Sequence, residues 1–586
     1  MVEAVLEDEV SINSQLEWEL EEGIPQPDEP FIQKYMAGRA ALIEQEKKQR
    51  HDRAFKMGMS PLAREAARIM AAIRKQELAS IWTPKYEDTL GHTIQGNLFP
   101  GIMFSLARGT IKTTKLWNII VKMPKGALLH CHMDAMVDID WLIEQALGQK
   151  GMHILSTEGL SDDKKLQEGI VTFRLLNESS VVNGPSIWSD RYIGGTPMSI
   201  EQAEKTFSGN GSFRDWLYSR CTITDQESIN HHHGVDAIWK KFLSTFLIVR
   251  DLLFHESIFR SAMQRLLRQL AADRITYIDF RAAFTFEFYL EGKDTPQIGY
   301  EDFFRVWEEE IKRFKDTEEG KNFHGCRMIW TIIRRLDNRS IAESMEECIR
   351  IKKLFPQLIC GFDCVGQEDD GRTLADLTPL LFWFKKKCYE ADVDIPFFFH
   401  AGECLGDGNE TDNNLFDAIL LGTRRIGHGY SLYKHPLLIE MVKEKKILVE
   451  SCPISNEVLR LSSSVLAHSL PALLSRGVAV SLNNDDPAIL GHGENGLTHD
   501  FWQLFMASEN LGLEGLATMA ENSLRWCAVE DQKQSDWIQG IERSYLGRTV
   551  KAEMLKQWRS DFEKWCQWVI MEYPLEADLD SEAGSE

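Results

Sequence analysis

The chain has 586 residues, 43% hydrophobic and 26% charged, with a formal net charge of -23. This is a soluble globular composition: no apolar run reaches the length of a membrane span, and the acidic balance excludes the basic stripe that nucleic-acid phosphates require. A neutral small substrate suits such a surface better than a polyanion.

Residues 1–30 are acidic and carry Pro25 and Pro27, which predicts a loosely ordered entry segment. Glu3, Glu7, Asp8 and Glu9 stand where a secretory signal would have positive charge and then an apolar run, so the expected location is the cytoplasm. Residues 31–120 read as an N-terminal helical arm, with Ile43, Leu62, Ala66, Ile69 and Ile73 among its apolar positions. An amphipathic arm outside the main body exposes an apolar stripe, and residues 31–80 are therefore expected to make a homodimer contact.

Residues 125–132 form the first buried-strand run, Lys-Gly-Ala-Leu-Leu-His-Cys-His, leading into helical spacing over 135–146. Regularity then lapses over 148–234, a stretch too long for a plain loop, which is expected to be an insertion over the mouth of a site. It ends in His231, His232 and His233, and three adjacent side chains cannot all face one ion, so solvent or outer contacts are expected of them. Beyond it, strand runs are predicted at 275–284, 326–333, 358–365, 395–400, 425–429, 447–452 and 478–482, with helical segments at 300–314, 341–354, 374–391, 415–421, 436–445 and 464–476. With the strand at 126–132 this makes eight, the alternation of a (β/α)8 TIM barrel of α/β class spanning 121–530. A helical extension and a solvated acidic tail are expected over 531–586. The eleven cysteines are scattered, without a Cys-x-x-Cys, which predicts free buried thiols.

Four of the predicted strands end in chemistry. One ends in His130 and His132, a second in His400 with Glu403 three residues on, a third in His428, and a fourth in Asp485 and Asp486. His130 and His132 point the same way from one strand, and three histidines with Asp485 offer the nitrogen and oxygen ligands that suit zinc while leaving a position for water. Such an ion lowers the pKa of that water, so hydroxide is available near neutral pH.

Six blocks in order carry a family resemblance: residues 123–132 with Asp134, 361–368, 400–403, 425–429, 450–456 and 481–487. Over roughly residues 30 to 570 the chain resembles the adenosine deaminase family of metal-dependent hydrolases, in its larger, growth-factor-like branch. The resemblance implies one zinc ion per chain on His130, His132, His400 and Asp485. It implies that Glu403 passes a proton to the purine ring nitrogen, that His428 orients the hydroxide, and that Asp486 bonds the far ring edge. The Gly366 N–H would meet another ring nitrogen and Asp134 the ribose. The implied reaction is hydrolytic deamination of adenosine or 2′-deoxyadenosine to inosine or 2′-deoxyinosine and ammonia. AMP or an N6-substituted nucleotide as substrate would need cations near the ribose 5′ position, for which the insertion offers Arg174, Arg191 and Arg214. A binding or signalling dimer that had lost turnover would be missing a ligand or the acid, and this chain has them all. The branch usually carries a disulfide in its insertion, whereas residues 148–234 hold only Cys221.

Overall fold

The computed structural model describes residues 17–83, 85, 103–176, 184–230, 233–508 and 510–575. Most of the acidic entry segment, the tail beyond 575, and His231 and His232 lie outside them. β1 (Gly126–His132) is followed by three short strands of the inserted segment, β2 (Met152–Ser156), β3 (Val171–Leu175) and β4 (Met198–Ser199). Then come β5 (Ile275–Ala283), β6 (Gly325–Ile333), β7 (Ile359–Val365), β8 (His400–Ala401), β9 (Arg425–His428), β10 (Leu448–Ser451) and β11 (Val480–Leu482).

Parallel ladders run β1-β5-β6-β7 and β8-β9-β10-β11. Two single bridges join the halves into a ring, Phe362 to Phe397 and Cys131 to Asp485. The expected eight-stranded parallel barrel is therefore present, and the strand interiors are buried along their length, every residue of β7 included. Parallel strands covered by helices on one face and packed side chains on the other must read as continuous apolar runs, which is why these were legible.

The 395–400 run differs from expectation, since ladder pairing begins only at His400. Pro396 has no N–H to donate, so this segment touches β7 through Phe362 N–H to Pro396 O at 2.9 Å and Phe398 N–H to Phe362 O at 3.0 Å. The helices expected between strands lie at Glu301–Lys315, Asn338–Leu354, Leu374–Glu390, Asn414–Leu420, Pro436–Glu444 and Leu470–Ser475.

Outside the barrel, α1 (Pro30–Lys47) has no buried residue. α2 (Pro61–Ser80) buries Ala63, Ala66, Ile69, Met70 and Ile73. It packs on the long C-terminal helix Val550–Glu572. The expectation that the whole arm lacks a core to cover thus holds for α1 alone. The inserted segment is more regular than its sequence suggested. β2 pairs antiparallel with β3 and β4, and the short helices and turns beside them cluster Trp188, Phe207, Phe213 and Trp216. Elements of five to nine residues are too short to show a period, although the capping boxes Ser212/Asp215 and Thr224/Glu227 marked two helix starts. After the insertion comes α3 (Gly234–Leu253), then a second helix, Glu256–Ala272, neither of them among the expected elements. Among the described residues no helix is long and apolar enough to cross a membrane.

Candidate active site

The strand ends named from sequence meet at one end of the barrel, where the loops of such folds carry their chemistry. Ligand atoms of His130, His132, His400 and Asp485 all lie within 4.8 Å of one another. His130 Nε2 and His132 Nε2 approach Asp485 Oδ1 to 3.2 and 3.4 Å. Asp485 is presented from a left-handed backbone (φ 56°), as is His428 (φ 59°). For residues with a side chain this costs about 1–3 kcal/mol each and persists only where the surroundings hold it. The holding groups are visible: Asp485 N–H donates to His130 O (3.2 Å), His132 N–H to Asp485 O (3.1 Å), and Gly429 N–H to Ala401 O (3.2 Å). Gly427 has no room for a side chain, because a Cβ there would stand 2.8 Å from His130 Cε1.

Each of two histidines is backed by a carboxylate. His400 Nδ1 donates to Asp363 Oδ2 at 2.6 Å, and His130 Nδ1 to Glu450 Oε2 at 2.8 Å. Both carboxylates are tied to one fully buried guanidinium: Arg281 donates to Asp363 Oδ2 (2.8 Å) and Glu450 Oε2 (2.7 Å). Arg281 and Arg425 overcome burial and hold Glu450 far below the usual carboxylate range. His400 and Arg281 do the same for Asp363. The backed Nδ1–H atoms leave the Nε2 lone pairs of His130 and His400 for a ligand, an arrangement typical of metal-binding histidines.

A metal fits this donor set on the structure's own terms. His130 Nε2 and Asp485 Oδ1 are buried and make no hydrogen bond among the described residues, and such orphaned polar atoms are costly unless something fills the space between them. A second overlapping group, His130, His428, Cys452 and Asp485, also lies close together. Burial and Asp485's charge push the Cys452 thiol well up, however, and a neutral thiol is a poor ligand.

Around the donors sit the acid–base groups. Burial and the charge of Asp485 push Glu403 and Asp486 well above the ordinary carboxyl range. Asp485 is held low against its burial by the rings of His428, His130 and His132, and Ser455 Oγ donates to it at 2.7 Å. One ionised and two protonated carboxyls is the arrangement a crowded buried site can sustain. Glu368 holds the turn that presents Glu403, accepting Glu403 N–H (2.9 Å), Gly402 N–H (3.3 Å) and Asn414 Nδ2 (2.7 Å). His428 Nε2 lies 3.5 Å from Glu403 Oε1.

These groups face a cavity of about 280 Å³ that also takes in Gly366 and Arg250. Its roof is apolar, made by Trp239, Phe242, Leu243, Phe246 and Leu247 of α3. Among the described residues, none of the lining comes from 148–234; the helix directly after that segment covers the site instead. Gly366 has φ +105°, a backbone that side chains rarely adopt. Asp134 is buried with its carboxylate bonded by Arg250 Nε, and Arg250 also donates to Thr285 Oγ1 at 3.0 Å. His233 is exposed.

A family model described as adenosine deaminase matches residues 222–544. Adenosine deaminase 2-A of Danio rerio is 31% identical over 462 residues, covering 77% of this chain and 84% of that protein. The chain belongs to the adenosine deaminase family. Adenosine deaminase 2 of Homo sapiens is 30% identical, covering 75% of this chain and 81% of its own. An adenosine deaminase of Lutzomyia longipalpis is also 30% identical, with 74% and 80% covered. The family's enzymes are metal-dependent hydrolytic deaminases, the class the donor set and buried acids suit. Sequence reasoning named no role for Asp363, Glu450, Arg281 or Glu368. Their signal was present, since Arg281, Asp363 and Glu450 are charges inside apolar strand runs, and such charges must be paired. The α3 roof could have been found from Trp239, Phe242 and Phe246 at helical spacing.

Proposed function

We propose that the chain catalyses hydrolytic deamination of adenosine or 2′-deoxyadenosine to inosine or 2′-deoxyinosine and ammonia, with one zinc ion per chain as its only cofactor. The observation that carries this reading is a four-donor set, His130, His132, His400 and Asp485, beside a Glu403 carboxyl pushed toward its protonated form, with His132, His400, Asp485 and Glu403 lining one roofed cavity. Those four residues would hold the zinc, which would lower the pKa of a water and so make hydroxide available near neutral pH.

The chain's own groups do the rest. Glu403 gives its proton to the ring nitrogen beside the reacting carbon, so the ring accepts the attacking oxygen without carrying a full negative charge. His428 orients that oxygen through Nε2. Asp486 bonds the far ring edge, and the Gly366 N–H meets another ring nitrogen. Asp134 and its partner Arg250 meet the ribose. The α3 roof excludes water, which strengthens each of these contacts.

A nucleoside is favoured over a nucleotide. Arg174 and Arg191 are exposed, and Arg214 donates to Asp140 O; none of the three lines the cavity. Arg250 is the one lining cation among the described residues, and Asp134 already meets its charge. Steady-state rates on adenosine, AMP and N6-methyl-AMP test this, with the highest kcat/KM expected on adenosine. A preference for either nucleotide would replace the nucleoside assignment.

The same reading includes a homodimer through α1, where Phe31, Tyr35 and Leu42 are exposed on one face. Because α2 is already covered by the C-terminal helix, deleting residues 1–47 should leave a folded monomer where the full chain has the mass of a dimer in solution. A truncated chain that stays dimeric would move the contact elsewhere. All eleven cysteines are free and buried, which supports a reducing compartment, the cytoplasm, as its location.

A further inference from the structure

Behind His428 runs a chain of hydrogen bonds whose direction can be worked out from one fixed end. The backbone N–H of Leu470 donates to His468 Nδ1 at 2.9 Å. A backbone N–H can only donate, so Nδ1 of His468 is the bare nitrogen and its proton sits on Nε2. That Nε2–H meets Asn456 Oδ1 at 3.0 Å. The amide is thereby oriented, and Asn456 Nδ2 donates to His428 Nδ1 at 3.1 Å. With its Nδ1 accepting, His428 keeps its proton on Nε2, the nitrogen that faces Glu403 Oε1 at 3.5 Å and Asp485 Oδ2 at 3.7 Å. At each step the assignment of nitrogen and oxygen follows from the one before, and none of it depends on a chosen tautomer.

The chain is well insulated. His428, Asn456 and His468 are all buried. The Asn456 backbone is held in place, its N–H donating to Cys452 O (3.0 Å) and its main-chain carbonyl accepting from the Leu461 N–H (2.9 Å) and the Ser462 N–H (3.0 Å). Tyr430 packs edge-on against the His468 ring, centroids 5.1 Å apart. Burial also pushes His468 down to about 3, so it stays neutral and keeps a bare Nδ1.

We propose that Asn456 and His468 are positioning residues that fix His428 in the Nε2–H tautomer, so that His428 donates a hydrogen bond to the attacking oxygen and does not take a proton from it. The role of His428 toward that oxygen rests on the deaminase reading above; the tautomer itself does not. A fixed tautomer matters because a ring with the proton on the wrong nitrogen presents a lone pair where a donor is required.

The decisive variant is Asn456→Asp. It keeps the shape and still accepts from His468, but it turns an oxygen toward His428 Nδ1, and that oxygen needs a proton on Nδ1. The experiment uses the full zinc-loaded chain with ¹⁵N-labelled histidine rings, with His428→Gln serving to assign the His428 signals. In the parent, His428 should show a protonated Nε2 and a bare Nδ1. In Asn456→Asp, Nδ1 should carry a proton, and kcat should fall by about a hundredfold or more, with zinc content kept and KM changed by a few fold at most. His468→Leu, which frees the amide to flip, should fall between the two. A parent ring with its proton on Nδ1 would overturn the proposal, as would an Asn456→Asp variant with unchanged ring signals or unchanged kcat. If the parent turned over no adenine nucleoside, the deaminase reading would fail, while the ring signals would still report the tautomer.

Discussion

Glu403→Gln is expected to keep its zinc and to lose about a hundredfold to ten-thousandfold in kcat, the range a positioned acid–base group contributes. Glu403 lines the cavity next to His428 and Asp485 but is not one of the four donors that converge for a metal. Its Oε1 is buried and has no hydrogen-bond partner among the described residues, so it is available to a substrate. Glutamine has nearly the same shape and no charge, and the Glu368 contacts that hold this turn are made by backbone N–H groups of Gly402 and Glu403, so the substitution leaves them in place. What the variant lacks is a proton that can be given up and recovered. Metal analysis together with kcat decides the matter. A variant that lost its zinc, or that kept turnover within a few fold of the parent, would remove Glu403 from the role of proton shuttle.

His400→Ala should fail differently, losing metal and turnover together. The ring is oriented by its bond to Asp363 at 2.6 Å, which leaves Nε2 as the donor nitrogen. Without that nitrogen, three donors remain for an ion that wants four ligands, and zinc should drop below about half an ion per chain in a protein prepared without chelator. Asp363 would also lose the imidazole and keep Arg281 with the backbone N–H groups of Cys364 and residue 400, so a lower unfolding temperature is expected alongside. His400→Ala with the parent's zinc content would mean that the metal is held by a different set, of which His130, His428, Cys452 and Asp485 is the nearest.

The contrast between these two variants follows from residues three apart in sequence, and it shows what was readable there. The apolar run ending in His400 announced a strand opening into a site, and the eight-fold alternation announced the barrel, because both depend on which residues must be buried. The shortfall in pairing at 395–399 was also written in the sequence, as Pro396. The supports of the site were harder to see. Arg281, Asp363 and Glu450 stand on three strands far apart in the chain, each a single charge in an apolar run, and nothing local says that one guanidinium would tie the carboxylates behind His130 and His400. The site's cover was assigned to 148–234, where Gly, Ser and Asn broke up any period, while α3 directly after it carried the apolar face that covers the cavity.

By itself, then, the sequence determined the fold class, the four strand ends that bear chemistry, and the family, since hydrophobic period and short motifs are local properties that survive without coordinates. Tertiary structure alone decided the state of each group at those ends. Whether a carboxyl is protonated, which nitrogen of an imidazole carries its proton, and whether an arginine is free for a phosphate or already occupied by Asp134 all depend on burial and on partners brought in from distant strands. Those partners are set by closure of the ring through Cys131 with Asp485 and Phe362 with Phe397, contacts between residues hundreds of positions apart in the first case, which no local pattern encodes.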